Sequence, residues 1–255
     1  MINTWVSRIT SGLPQYGLWA ASGSSYITEI CAGSGADWLL VDQEHVPNDV
    51  RSVLSQLQTL AAYPDVEVVV RPPAGDAVYI KQLLDIGVQN LIIPMVDTPE
   101  QAAHVVAATR YPPRGIRGVG SALARASRWN RVPDYLATAD DGLSVTVQVE
   151  SVEGLANLSQ IASVDGVDAV FIGPADLAAS LGRLGQPEHA DVVNRIEGAL
   201  AEIVAQGKPA GVNAFNRQIA ERYLAAGATF VLVGADVALV ARGAEAVVSQ
   251  YKGAQ

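Results

Sequence analysis

The sequence predicts a closed parallel barrel of eight βα units, a (β/α)8 fold, on three observations. Short runs rich in Val, Ile and Leu alternate with amphipathic stretches from end to end. The runs are apolar almost throughout, as strands covered on both faces must be. Polar and charged residues gather where those runs stop, the end at which such barrels carry their working groups.

Strands are expected at Gln15–Trp19, Trp38–Asp42, Glu67–Arg71, Asn90–Pro94, Ser144–Glu150, Ala169–Gly173, Pro209–Ala214 and Phe230–Gly234. Helices are expected at Ser25–Ala32, Asn48–Ala62, Asp76–Ile86, Pro99–Thr109, Glu153–Ile161, Asp191–Gln206, Arg217–Ala226 and Val237–Ser249. Thr98-Pro99 supplies a helix start, and Gly87, Gly207 and Gly227 stand just past helix ends. No linker divides the pattern, so residues 1–255 read as one barrel domain. The one long connection, Tyr111 to Asp134, holds Gly115-Ile116-Arg117-Gly118-Val119-Gly120 together with Arg125, Arg128 and Arg131, and is too long for a passive turn. Its glycines resemble a phosphate loop only superficially, because no helix opens after them; they are expected to serve glycine dihedrals.

Composition narrows the partners. A chain of 255 residues, 49% hydrophobic with a net charge of −9, reads as a soluble globular protein with ample core. Its acidic balance and scarce lysines argue against nucleic acid, which needs clustered basic surface. The three loop arginines read as a solvated or inter-subunit loop, or a small-anion contact. The longest uncharged stretch, Ile9 to Thr28, is broken by Ser11, Gly12, Pro14, Gln15 and Gly17 and does not form an apolar span. No signal peptide is visible, and the lone Cys31, placed in the first of these helices, reads as a small core residue of a cytoplasmic protein.

Two acids stand out. Glu150 closes Val145-Thr146-Val147-Gln148-Val149-Glu150, and Asp176 follows Ala169-Val170-Phe171-Ile172-Gly173-Pro174-Ala175. A buried strand that ends in a carboxylate needs compensation, and two such ends side by side point to a bound cation. Strand alternation puts Gln148 and Glu150 on one face. The other strand ends carry Trp19, then Asp42, Glu44 and His45, then Arg71, and Asn213. Asp42 is read as catalytic over a turn cap. His45 is the one histidine at a strand end, whereas His104 and His189 read as structural. Arg71 suits an anion site stiffened by Pro72-Pro73, with a structural ion pair to Asp42 or Glu44 as the plainer alternative. Asp85 sits late in a helix, where the dipole disfavours an acid, so a specific partner is expected. Lys81, Lys208 and Lys252 all lie away from strand ends. An enolate made in this barrel would therefore depend on a metal and not on a lysine imine.

Trp38-Leu39-Leu40-Val41-Asp42-Gln43-Glu44-His45, Arg71-Pro72, Ile116-Arg117-Gly118-Val119-Gly120-Ser121-Ala122-Leu123-Ala124-Arg125-Ala126, Gln148-Val149-Glu150 and Phe171-Ile172-Gly173-Pro174-Ala175-Asp176-Leu177 closely resemble the HpcH/HpaI class II pyruvate aldolases, in particular the 4-hydroxy-2-oxoheptane-1,7-dioate aldolase branch. The resemblance implies reversible cleavage of 4-hydroxy-2-oxoacids to pyruvate, or hydroxypyruvate, and an aldehyde. It implies Glu150 and Asp176 as ligands of Mg²⁺ or Mn²⁺, with Co²⁺ a further candidate. His45 is similar to the family's general base, oriented by Asp42, with Asp85, from this or a neighbouring subunit, raising its basicity. Arg71 resembles the group that stabilises the enolate oxygen. Gln148 and the backbone around Ala175 resemble pyruvate-binding positions, with Trp19 and Asn213 as further substrate-lining candidates. A homohexamer with active sites near subunit interfaces is implied as well. Asn213 departs from the apolar residue expected on the aldehyde side and hints at a hydroxylated acceptor. Two rival functions stay open: a lyase acting on a CoA thioester, which needs an extended basic surface, and a non-catalytic barrel that binds a chelated 2-oxoacid.

Overall fold

Alternation along each strand sorts the side chains into two cores and thereby sets the architecture. A computed structural model describes residues 3–252, so the expected domain of residues 1–255 extends past it at both ends. The strands are β1 (Gln15–Ala20), β2 (Trp38–Asp42), β3 (Glu67–Arg71), β4 (Asn90–Ile93), β5 (Ser144–Val149), β6 (Ala169–Ile172), β7 (Ala210–Asn213) and β8 (Ala228–Ala235). They run parallel in chain order and close, β8 pairing with β1. Trp38, Leu40, Val69, Ile92, Ala169, Phe171, Phe230 and Leu232 pack together inside the barrel. Their neighbours Leu39, Val41, Val70, Leu91, Val170 and Val231 face outward, toward the helices.

The interior is crowded with aromatic rings, and small residues make room for them. A Cβ at Gly17 would sit 2.3 Å from the Trp38 ring, and one at Gly211 would sit 2.2 Å from Phe230. The first helix, α1 (Trp5–Ile9), inserts Trp5 among these rings, 5.3 Å from Trp38 and 5.5 Å from Phe230 between centroids. Truncating an aromatic so placed costs about 3–5 kcal/mol.

Around the barrel run α2 (Ser25–Ala32), α3 (Val50–Leu60), α4 (Ala77–Asp85), α5 (Pro99–Thr109), α6 (Tyr135–Thr138), α7 (Val152–Ala156), α8 (Leu158–Ala162), α9 (Pro174–Ser180), α10 (Ala190–Ala205), α11 (Arg217–Ala225) and α12 (Asp236–Lys252). Side chains start several of them: Ser24 caps α2, Asp76 caps α4, and Asp49 with Ser52 and Thr98 with Gln101 form capping boxes on α3 and α5. The single helix expected over Glu153–Ile161 is instead the pair α7 and α8. Asn157 breaks it at φ −101° and ψ 5°, its carboxamide donating to the Asp97 carbonyl at 2.7 Å. Helices α1, α6 and α9 were not anticipated.

The long connection after Tyr111 is packed onto the barrel, and its glycines work differently from the expectation. Gly115, Gly118 and Gly120 all avoid positive φ; at Gly115 a Cβ would meet the Ala107 carbonyl at 2.2 Å, so close approach and not a glycine dihedral demands the residue. Arg117 is fully buried, and half-buried Arg125 donates to the Ile86 carbonyl at 2.7 Å. Among the described residues no helix is long and apolar enough to cross a membrane.

Candidate active site

At the carboxyl ends of the strands the inward positions change from apolar to polar. Ladder partners Asp42 and Arg71 meet there, each almost fully buried. Arg71 Nε and Nη2 donate to the two Asp42 carboxylate oxygens at 2.7 and 2.8 Å. Nη1 reaches Gln148 Oε1 at 3.4 Å and lies 3.0 Å from Glu44 Oε2. The Trp19 ring covers the guanidinium, 4.6 Å from Cζ to centroid. Burial works to raise the Asp42 carboxyl, but the hydrogen bonds and charge of Arg71 outweigh it and hold the group below its ordinary range.

This arrangement corrects the role expected for Asp42. Its oxygens accept from the backbone N–H of Glu44 at 3.0 Å and of His45 at 3.4 Å, and from Arg71, so the carboxylate orients the arginine and the turn, not the imidazole. The His45 ring stands at the mouth, 59% exposed, with Nε2 3.7 Å from Glu44 Oε2.

Glu150, 5% exposed, is held from two sides. Oε2 accepts from Gln148 Nε2 at 2.6 Å and Oε1 from the Met95 amide at 2.8 Å, Met95 itself adopting φ 56°. Burial pushes the Glu150 carboxyl up to about 7; these bonds oppose the shift, and the charges of Glu44 and Asp176 add to it. Glu44 is raised as well, mainly by burial, against the nearby charges of Arg71 and His45. Its Oε2 is buried without an aligned donor despite the closeness of Arg71. Asp176 lies exposed in the first turn of α9, behind Pro174. Glu44, Glu150 and Asp176 thus share one mouth, the first two made more basic by burial and Glu44 keeping an unsatisfied oxygen, and all are hard oxygen donors. That donor set suits a divalent cation. Although Glu44 shares the mouth, no three His, Cys, Asp or Glu side chains among the described residues are grouped closely enough to hold a metal together, so Glu150 and Asp176 would hold it and leave further positions to water and substrate.

The remaining candidates are placed more loosely. Exposed Ala175 precedes Asp176 on α9. The alternation that sends Gly211 inward against Phe230 sends half-buried Asn213 inward two residues later. Asp85 accepts from Arg117 Nη2 at 2.8 Å, which supplies its expected partner within the chain. His189 caps α10, and His104 lies exposed on α5. Cys31 is buried on α2.

A family model described as HpcH/HpaI aldolase/citrate lyase matches residues 15–243. The chain belongs to this family. It is 61% identical to a hydroxypyruvate/pyruvate aldolase of Deinococcus radiodurans over 250 residues, 98% of this chain and 90% of that protein. It is 54% identical to a 4-hydroxy-2-oxo-heptane-1,7-dioate aldolase of Salmonella dublin over 251 residues, 98% of this chain and 95% of the relative. The crystal structure of an HpcH/HpaI aldolase/citrate lyase family protein from Burkholderia cenocepacia J2315 superposes with a TM-score of 0.93 at 40% identity, covering 98% of this chain and all of that one. The eight-stranded barrel is therefore the HpcH/HpaI fold.

Two contributors to this HpcH/HpaI site were not singled out from sequence. Glu44 was read only as a possible ion-pair partner of Arg71, which it approaches, and was given no part in a cation site, although its i+2 spacing from Asp42 was visible. Gly173 leaves the space that Glu150 occupies: a Cβ there would lie 2.5 Å from Glu150 Oε2. Only the Gly173-Pro174 pair hinted at it.

Proposed function

We propose that this chain is a divalent-metal-dependent class II aldolase that reversibly cleaves 4-hydroxy-2-oxoacids into pyruvate or hydroxypyruvate and an aldehyde. The observation that carries the reading is the buried Arg71, fixed by Asp42 and covered by Trp19, beside the Gln148–Glu150 pair. Membership of an aldolase family and the names of relatives sharing 54–61% of their residues support it. Mg²⁺, Mn²⁺ or Co²⁺ held by Glu150 and Asp176 would chelate the 2-oxoacid and share the charge that develops on its keto oxygen.

The protein's own groups divide the remaining work. Arg71 offers a fixed cation to the same oxygen, and its orientation is established before substrate arrives, so little reorganisation is needed. Gln148 orients Glu150 and can donate to the substrate carboxylate. His45 takes the C4 hydroxyl proton, directly or through water; the C3–C4 bond then breaks, leaving its electron pair in the pyruvate enolate. In reverse the same groups deprotonate pyruvate and add it to an aldehyde. Such a base contributes roughly 10²–10⁴-fold. Asp85 is assigned the support of a neighbouring copy's His45. Asn213 lines the aldehyde side and favours hydroxylated acceptors, because a buried amide is left unpaired by a hydrocarbon.

A homo-oligomer, six chains in number, of one barrel domain each and working in the cytoplasm belongs to this proposal. Along α12, Val237, Leu239, Val240, Val247, Val248 and Tyr251 are exposed. Beside β8 and β1 an open groove of about 370 Å³ is lined by Tyr16, Phe215, Leu224 and Val233. Exposed apolar side chains on α12 and an open groove that is apolar apart from Arg217 and Glu221 favour association between copies.

Pyruvate release from a panel of 4-hydroxy-2-oxoacids tests the function. EDTA should abolish it and a divalent ion restore it; undiminished release in metal-depleted enzyme would remove the metal from the reading.

A further inference from the structure

The β1–β8 ladder ends where Trp19 pairs with Ala235. The next residue, Asp236, is 1% exposed and carries its carboxylate back across the gap. Oδ1 accepts from the Ala21 amide at 2.8 Å and from its own neighbour Val237 at 2.7 Å, and Oδ2 accepts from Ser22 at 3.0 Å. Among the described residues no cationic side chain comes within ion-pair distance of it. A buried carboxylate without a cation depends on those three amides for its compensation, so it defines where they sit. Two of them open the loop that starts immediately after Trp19-Ala20.

Trp19 needs such an external support. Its Nε1 is buried and has no hydrogen-bond partner, so no polar bond of its own fixes the indole over Arg71. The ring's position follows from the backbone at the end of β1, where Trp19 is paired with Leu40 and Ala235 and Ala20 with Val41, and Asp236 adds the last tie to β8 by holding Ala21 and Ser22 just beyond. We infer that Asp236 is a positioning residue: it holds the end of β1 so that Trp19 covers Arg71, and thereby keeps the guanidinium dry and aimed at the enolate oxygen. The hydrogen bonds of Asp236 go to Ala21, Ser22 and Val237 and to none of the metal-ligand or substrate positions. The inference rests on the role proposed for Arg71.

The test uses the metal-loaded enzyme with D236A and D236N, each alone and combined with W19A. Oxaloacetate decarboxylation and aldol cleavage are followed for kcat and KM, with metal affinity measured by calorimetry. D236A should lower kcat about tenfold in both reactions, because small misplacements of a fixed group are costly, with KM and metal affinity changed less than about twofold. D236N keeps one acceptor oxygen but turns an amide N–H toward a backbone donor, so a smaller kcat loss is expected, and it decides the matter if D236A does not fold. In the W19A background the same substitutions should change kcat by less than about twofold, because their effect passes through the indole. An undiminished loss in that background, or unchanged kcat in the folded single variants, overturns the inference. R71A separates its failure from that of the underlying reading: full activity in R71A would refute the role of Arg71, whereas an inactive R71A beside fully active Asp236 variants would refute only the positioning.

Discussion

Arg71 and Asp42 are ladder partners at the ends of β3 and β2, and the guanidinium meets the carboxylate through two hydrogen bonds of 2.7 and 2.8 Å. Two parallel bonds fix the plane of the guanidinium, so its third nitrogen is left facing Gln148 and Glu44. The pair is structural, and in the proposed reaction it also fixes the cation offered to the enolate oxygen.

Asp42→Asn should therefore reduce both stability and activity. Breaking a buried pair from one side costs about 3–5 kcal/mol. Arg71 holds the Asp42 carboxyl below its ordinary value against the effect of burial. For a depressed acid, the stabilisation is present above the unfolded-state value, about pH 4, and disappears as pH falls through the lower folded value. Urea denaturation of both proteins should show a constant gap from neutral pH down to about pH 4 that closes in stronger acid. A gap that closed already near neutrality would contradict this assignment.

Glu150 has the opposite sign. Burial lifts its carboxyl to about 7. Between about pH 4.5 and that value the folded, metal-free chain keeps a proton that the unfolded chain has released, so stability falls as pH rises through the window. At about 1.4 kcal/mol per unit the loss is on the order of 3 kcal/mol. In EDTA, wild type should lose this much relative to Glu150→Gln between pH 4.5 and 7.5, and a divalent ion should return it at the upper end. Parallel stability profiles for the two proteins would show that Glu150 is not strained by burial.

Gly173→Ala addresses the space beside that carboxylate. A Cβ would stand 2.5 Å from Glu150 Oε2 and 2.9 Å from its Cβ, so the glutamate must move. Metal affinity should drop at least tenfold, about 1.4 kcal/mol, while the melting temperature changes by only a few degrees. Calorimetric titration with Mn²⁺ reads this directly, and wild-type affinity in the variant would mean that Glu150 is not a ligand.

Much of this was legible because an inward position on a strand carries its own pattern. β2 and β3 end where expected, at Asp42 and Arg71, since a charge on the inner face stops the apolar run. Gln148 and Glu150 share a face for the same reason. The short helices left no such trace: α1 is a five-residue element held by Trp5 against Trp38 and Phe230, and too few turns exist for a period to show. The sequence left Arg71 to pair with Asp42 or Glu44, because the choice depends on register between strands and periodicity does not encode register; Asp42 takes the two parallel bonds. Gly173 matters through what fills its missing side chain, and that is the residue that follows β5.

The last prediction separates proton transfer from charge stabilisation. His45 stands exposed at the mouth, whereas Arg71 is buried beneath Trp19, so the two can be removed independently. Oxaloacetate decarboxylation and aldol cleavage both pass through the pyruvate enolate, but only cleavage requires a base at a C4 hydroxyl. Arg71→Ala removes stabilisation common to both transition states and should depress both rates at least a hundredfold. His45→Ala should depress cleavage by about 10²–10⁴-fold and leave decarboxylation within about tenfold of wild type. Initial rates of the two reactions in the two variants give four numbers and one ratio of ratios. Should His45→Ala lose decarboxylation as completely as cleavage while binding metal normally, the imidazole would be acting on the enolate itself, and the division of labour between the two residues would have to be abandoned.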